Sequence, residues 1–113
     1  MKIQITDNAK SDITNIFNYS RNLSSNYARK IVKKIYGEIY NLQFSPYIGR
    51  YVPELSNKHY RERLCEKYRI IYFISENSNT IYIQYIFCSK QNSELFFKIH
   101  KTELSNYLNQ YFN

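Results

Sequence analysis

Four arginines stand within one stretch, Arg50 to Ile74 (RYVPELSNKHYRERLCEKYRIIYFI): Arg50, Arg61, Arg63 and Arg69. A guanidinium is a planar fork of donors that matches phosphate and carboxylate, and it stays charged at any ordinary pH. Arg61 and Arg63 are two residues apart, so on a β-strand they share a face. Arg69 follows a short polar break and alternates with apolar residues. Like charges on one small sheet repel each other, so a fold that keeps them is expected to hold an anion there. Such a set would clamp a phosphate and stabilise the charge that builds on it, with Tyr, Lys or Glu moving the proton. Each arginine also has a structural alternative. Arg50 has Glu54 or a loop carbonyl as a partner, and Arg69 has Glu62 or Glu66 across a hairpin.

Other chemistries lack their residues. Gly37 and Gly49 are the only glycines, so no glycine-rich phosphate loop can form. His59 and His100 have no partner at the spacing of a metal site or a nucleophile triad. Glu54, Glu62 and Glu66 make no recognisable carboxylate pair, and Cys65 and Cys88 are too few and too far apart for a cluster. No metal and no other cofactor is expected.

The chain of 113 residues is of single-domain length, so residues 1–113 are read as one domain. A net charge of +7 points to an anionic partner such as nucleic acid or an acidic protein. The 13 tyrosines and 7 phenylalanines are expected mainly in the core and at its rim. No apolar run reaches signal-peptide or membrane-spanning length, which predicts a cytoplasmic protein with no membrane partner.

The elements that must position the arginines follow from periodicity. Lys2 to Thr6 alternates as a short strand, and Thr6 or Asp7 can cap the helix predicted over about 8–22. Ser24 or Ser25 caps a second helix with an apolar stripe of Ala28, Ile31, Val32, Ile35, Ile39 and Leu42. Arg29, Lys30, Lys33 and Lys34 fall on its other side and read as a solvated face. Ser45-Pro46 ends it, Gly49 supplies a flexible turn, and the segment to Lys58 reads as a surface loop.

Three strands follow: Tyr60–Cys65, Tyr68–Ser75 and Thr80–Cys88, joined by Glu66-Lys67 and Glu76–Asn79. The apolar run Ile70–Ile74 places the middle one at the centre of the sheet. Leu95, Phe96, Ile99, Leu104, Tyr107, Leu108 and Tyr111 keep helical spacing, with Ser93 as cap and an interruption near Lys101-Thr102. The fold class is α+β in the order β-α-α-β-β-β-α, an antiparallel-rich sheet packed on an N-terminal helical hairpin, with a C-terminal helix. The sheet's other face is expected to stay partly open, available to the arginines.

The run IGRYVPEL, then YRERL, then KYRIIYFI, behind two amphipathic helices, resembles the RelE/ParE superfamily of bacterial toxins from type II toxin–antitoxin systems. The likeness runs from the first strand to about Ser93. It implies a growth-inhibiting toxin held by a cognate antitoxin protein, with either the ribosome and its mRNA or DNA gyrase as target. In members that cut mRNA in the ribosomal A site, a metal-independent reaction, Arg61 and Arg63 match the phosphate-binding basic pair. Arg69 matches the arginine of the Tyr-Arg-hydrophobic strand, and Lys90 stands near an expected arginine. These four are the implied catalytic set, with Arg50, Lys58, Lys67 and Gln91 as further phosphate or RNA contacts. The sequence departs from that pattern at Cys88, where His is common, at Gln91, and at Phe96, near an expected Tyr. The alternatives are a non-enzymatic, ParE-like gyrase inhibitor and a non-toxic binding module.

Overall fold

The computed structural model describes residues 1–90 and 92–112, leaving aside the side chains of 111 and 112. The elements run β1 (Lys2–Ile5), α1 (Asp7–Leu23), α2 (Ser25–Asn41), β2 (Arg50–Tyr51), β3 (Tyr60–Cys65), β4 (Tyr68–Ser75), β5 (Thr80–Cys88) and α3 (Ser93–Phe112). The sequence order holds, with one addition: β2 lies inside the segment read as loop. Strand order in the sheet is β1-β5-β4-β3-β2. β1 runs parallel to β5, and every other pair is antiparallel. Among the described residues, no helix is long and apolar enough to cross a membrane.

Local chemistry sets the boundaries. Thr6 closes β1 and caps α1, its hydroxyl accepting from the Ala9 amide at 3.2 Å. Ser24 ends α1 and caps α2, accepting from the Tyr27 amide at 3.3 Å. The hairpin is therefore closed by a single residue that serves both helices. Ala9, Ile13 and Ile16 of α1 and Ile31, Ile35 and Ile39 of α2 pack on Tyr68, Ile70, Tyr72, Ile81, Ile83 and Ile86. Arg29, Lys30 and Lys33 lie exposed, and Lys34 pairs with Glu66 at 2.5 Å on the surface.

The opposite face differs from the expectation of a partly open sheet. There α3 lays Phe97, Leu104 and Leu108 over Tyr60, Ile71, Phe73, Tyr82, Tyr85 and Phe87, making a second core rich in aromatic rings. Phe73 stacks on Tyr82 at 5.0 Å and meets Tyr60 edge-on at 5.5 Å. The helix is continuous through Lys101-Thr102, because one suboptimal helix residue costs only tenths of a kcal/mol while the buried stripe continues past it. Of the predicted stripe, Leu104 and Leu108 are buried and Phe96 and Tyr107 pack against the same core, but Leu95 and Ile99 are exposed and Phe97 is inside instead. Asn92 rather than Ser93 supplies the cap, its side chain accepting from the Leu95 amide at 3.1 Å. Tyr111 of the predicted stripe lies outside the described side chains.

Two details set the register of the central strands. β4 is buried along its whole length, as its apolar run predicts. In β5 the pairing shifts between Ile71↔Tyr85 and Tyr72↔Ile83, which leaves Gln84 as the extra residue of a bulge. The bulge keeps Ile81, Ile83 and Ile86 on the hairpin side and Tyr82, Tyr85 and Phe87 on the α3 side. At Gly49 the requirement is space rather than turn flexibility: no glycine has a positive φ, and a Cβ there would lie 2.6 Å from the Glu62 carbonyl oxygen and also strike the Tyr72 hydroxyl. That hydroxyl accepts from the Gly49 amide and donates to the Pro46 carbonyl, both at 2.9 Å. Gly49→Ala is therefore expected to cost about 1–3 kcal/mol in urea unfolding, the usual range for overpacking a closed site. An unchanged midpoint would show that the loop gives way freely.

Candidate functional site

Alternation along β3 divides the arginines between two faces. Arg61 pairs with Tyr72 and Arg63 with Ile70, both on the helical-hairpin side. Arg69 pairs with Leu64, and Glu62 pairs with Ile71, both on the α3 side. Arg61 and Arg63 share a face as predicted, but Arg69 lies through the sheet from them.

Arg61 sits in an aromatic bracket. Its guanidinium carbon lies 4.5 Å from the Tyr51 ring centroid and 5.2 Å from that of Tyr47. Its Nη1 donates to the carbonyl of Gly49 at 2.8 Å and to that of Tyr47 at 3.3 Å. Lys58, His59 and Glu76 join these residues around a cavity of about 420 Å³. The Tyr47 hydroxyl donates to the Glu76 carboxylate, which fixes one wall. Arg63 reaches across to α2 and pairs with Glu38 at 3.1 Å. It edges a smaller hollow of about 250 Å³ with Leu42, Phe44 and Ile48.

Arg69 is the buried member. Its Nη1 and Nη2 meet the two oxygens of Glu54 at 2.5 and 2.7 Å, a bidentate pair. Its Nε donates to Glu62 Oε1 at 2.9 Å, and Nη2 reaches the same oxygen. The second oxygen of Glu62 accepts from Arg50 Nε at 2.7 Å. Side-chain exposure is 7% for Arg69 and 0% for Glu62, against 61% for Arg50. The rings of Phe87 and Phe97 stand 5.1 and 5.5 Å from the Arg69 guanidinium carbon. Hydrogen bonds from Arg69 hold the Glu54 carboxyl at a pKa of about 2, and Ser93 at the start of α3 adds to the effect. The carboxylate of Glu54 in turn raises the pKa of Arg69. Arg50 and Arg69 thus take carboxylate partners. For Arg69 this includes Glu62, one of its two structural alternatives, while the partner of Arg50 is Glu62 rather than Glu54 or a loop carbonyl.

The remaining predicted residues are scattered. Lys58 is exposed on the loop before β3 and lines the Arg61 cavity. Lys67 lies in the turn at the other end of β3, with its ammonium 5.7 Å from the Tyr68 ring centroid and its carbonyl accepting from the Ser89 amide at 2.7 Å. Lys90 is exposed just after β5, and Gln91 lies outside the described residues. The structure brings together Arg61 with Lys58, and Arg69 with Arg50, and does not gather all eight.

Sequence reasoning named Glu62 for Arg69 but missed Glu54 for Arg69, Glu62 for Arg50, Glu38 for Arg63 and the two tyrosines around Arg61. Glu54, Glu62 and Glu38 neutralise arginines, and Tyr47 and Tyr51 bracket one. Counting back from the two-residue turn Glu66-Lys67 sets Leu64 opposite Arg69, which puts Glu62 beside it on the same face; that signal was readable. His100, dismissed as a lone side chain, lies 4.4 Å from the Phe96 ring and 3.2 Å from Glu103 Oε2. Phe96 itself stacks on Phe87 at 4.2 Å. Among the described residues, no group of three or more His, Cys, Asp or Glu could hold a metal ion.

A family model described as the ParE toxin of type II toxin–antitoxin systems, parDE, matches residues 3–93. The chain belongs to the ParE toxin family. Two solved structures share the fold of this ParE-family protein. One is a chromosomal ParDE toxin–antitoxin system from P. aeruginosa, at 21% identity and a TM-score of 0.66, covering 78% of this chain and 95% of that one. The other is the toxin–antitoxin complex RelBE2 from Mycobacterium tuberculosis, at 15% identity and a TM-score of 0.60, covering 77% and 95%. No curated protein matches by sequence. The matched region of the ParE-family chain contains all of the arginine network but ends where α3 begins.

Two substitutions test the network. Arg69→Ala leaves Glu54 and Glu62 without their shared cation and is expected to cost about 3–5 kcal/mol in chemical denaturation. Glu54 contributes stability above its ordinary value of 4.5, and that contribution is lost as pH falls from there towards about 2. Glu54→Gln should therefore lower stability at pH 6 and narrow the gap between pH 6 and pH 3. An unchanged gap would mean that another group dominates the acid limb.

Proposed function

We propose that this ParE-family chain arrests growth by binding a protein target, DNA gyrase, rather than by cutting mRNA. The observation that carries this reading is the withdrawal of Arg69. Cleavage needs cations free to meet the developing charge on one phosphate, and a group placed to move a proton. Arg69 is buried through the sheet from Arg61 and Arg63, and two carboxylates already occupy its donors. At the end of β5 and beyond it, Cys88 and Phe96 stand where cleaving relatives carry proton-transfer groups, and Phe96 is packed on Phe87.

The surface around Arg61 has the composition of a protein interface instead. Phe44, Tyr47, Ile48 and Tyr51 are all exposed, Phe44 by 81%. Tyr47 and Tyr51 flank Arg61, and Phe44 and Ile48 share a hollow with Arg63. Aromatic residues and arginine are the types enriched in interface cores and hot spots. A cognate antitoxin, a small acidic protein, is the partner that neutralises the toxin, and both act in the cytoplasm.

Purified protein should inhibit gyrase supercoiling in excess while leaving A-site mRNA intact in a translation reaction. Full inhibition of translation with cut messenger, and gyrase unaffected, would overturn the reading. Arg69→Lys gives a second arm. A cleaving enzyme should lose on the order of 10²-fold or more in rate, whereas a binding toxin should lose arrest only in proportion to the fraction unfolded.

A further inference from the structure

A further groove lies away from the Arg61 surface, between the β2–β3 loop and α3. Its volume is about 710 Å³. Leu55, Phe97 and Leu104 supply an apolar floor, and Tyr60 closes it by donating its hydroxyl to the Leu104 carbonyl at 3.0 Å. Lys98 and Lys101 stand exposed on the α3 wall. Neither lysine makes an ion pair among the described residues, and Glu94, one turn before Lys98, makes none either. Glu54, on the loop wall, is already neutralised by Arg69. Along its α3 wall the groove therefore offers an unpaired carboxylate in the first turn, then two unpaired cations, over an apolar floor.

We propose that this groove seats an acidic, apolar-anchored segment of a protein partner, with its carboxylates against Lys98 and Lys101 and its apolar side chains on Leu55, Phe97 and Leu104. The identity of that partner as the antitoxin rests on the toxin reading above; the chemistry of the groove does not. A nucleic acid fits less well, since a uniform row of phosphates would meet Glu94 at one end and an apolar floor in the middle. From Glu94 to Ser105 the α3 wall is about 17 Å long, the span of roughly five extended residues or three helical turns. The groove thus joins a loop inside the region the family model matches to a helix outside it.

The test uses the full chain and a synthetic peptide of leucine and glutamate, about twelve residues long, enough to run the length of the groove. Isothermal titration should give micromolar binding, and backbone NMR shifts should map to the 53–57 loop and α3. The double variant Lys98→Glu/Lys101→Glu, both positions exposed, should weaken binding at least tenfold while circular dichroism stays unchanged. Ser105→Trp, which fills the groove without touching its charge, should weaken it too. Equal binding by the charge-reversed variant, shifts centred on α2 and β2, or tighter binding of an RNA oligonucleotide at the same site would each overturn the proposal. Growth arrest by the chain expressed alone is read separately. Its absence would sink the toxin reading and leave the titration to judge the groove.

Discussion

Four segments of the chain meet at the guanidinium of Arg69. It rises from β4, takes Glu62 from β3 and Glu54 from the loop before it, and reaches Arg50 on β2 through Glu62. Two phenylalanine rings flank it, Phe97 from α3 among them. Taking such charges out of water is expensive, and their mutual attraction offsets the cost only when geometry is close to ideal. Here the geometry is a bidentate fork on one side and a shared oxygen on the other. Removing Arg69 would strand Glu62, which is fully buried, with only the exposed Arg50 as a partner. The consequence of the network is positional: it fixes the β2–β3 loop and, through Ser93, the first turn of α3.

The network also explains where the charge of the protein is available. Two arginines and two glutamates sum to zero, so this cluster contributes nothing to the net +7. The surplus lies on α2 and around Arg61, whereas Lys98 and Lys101 of α3 are matched in number by Glu94 and Glu103. Charge on surfaces so placed steers an acidic partner during approach more than it strengthens the final complex.

Much of this fold was legible because the sequence states it locally. Thr6 and Ser24 each precede an apolar stripe of period near 3.6, and β3, β4 and β5 are bounded by short polar turns, so their limits follow from residue type alone. What was illegible depends on tertiary contact. β2 is two residues long and exists only because Arg50 and Tyr51 find Glu62 and Arg61. Only the start of the α3 stripe was misread, because Leu95 and Phe97 both fit a helix and only the aromatic surface below selects Phe97. The bulge at Gln84 had left a trace, since Ile81 and Ile83 are followed by Ile86 rather than an apolar 85 on the same face. For the arginines, proximity in sequence suggested convergence, while the strand period separates Arg69 from the other two.

The pairing of β1 with β5 joins the first element of the chain to the last strand. The Thr6 hydroxyl donates to the Gln84 carbonyl across 78 residues. Closing a loop of this length costs chain entropy before the pairing rewards it. During synthesis, β1 has no strand to join until β5 has left the ribosome, and the second core waits longer still for α3. The order of assembly thus sets a delay: a nascent chain cannot present the finished sheet until Cys88, the end of β5, has been made.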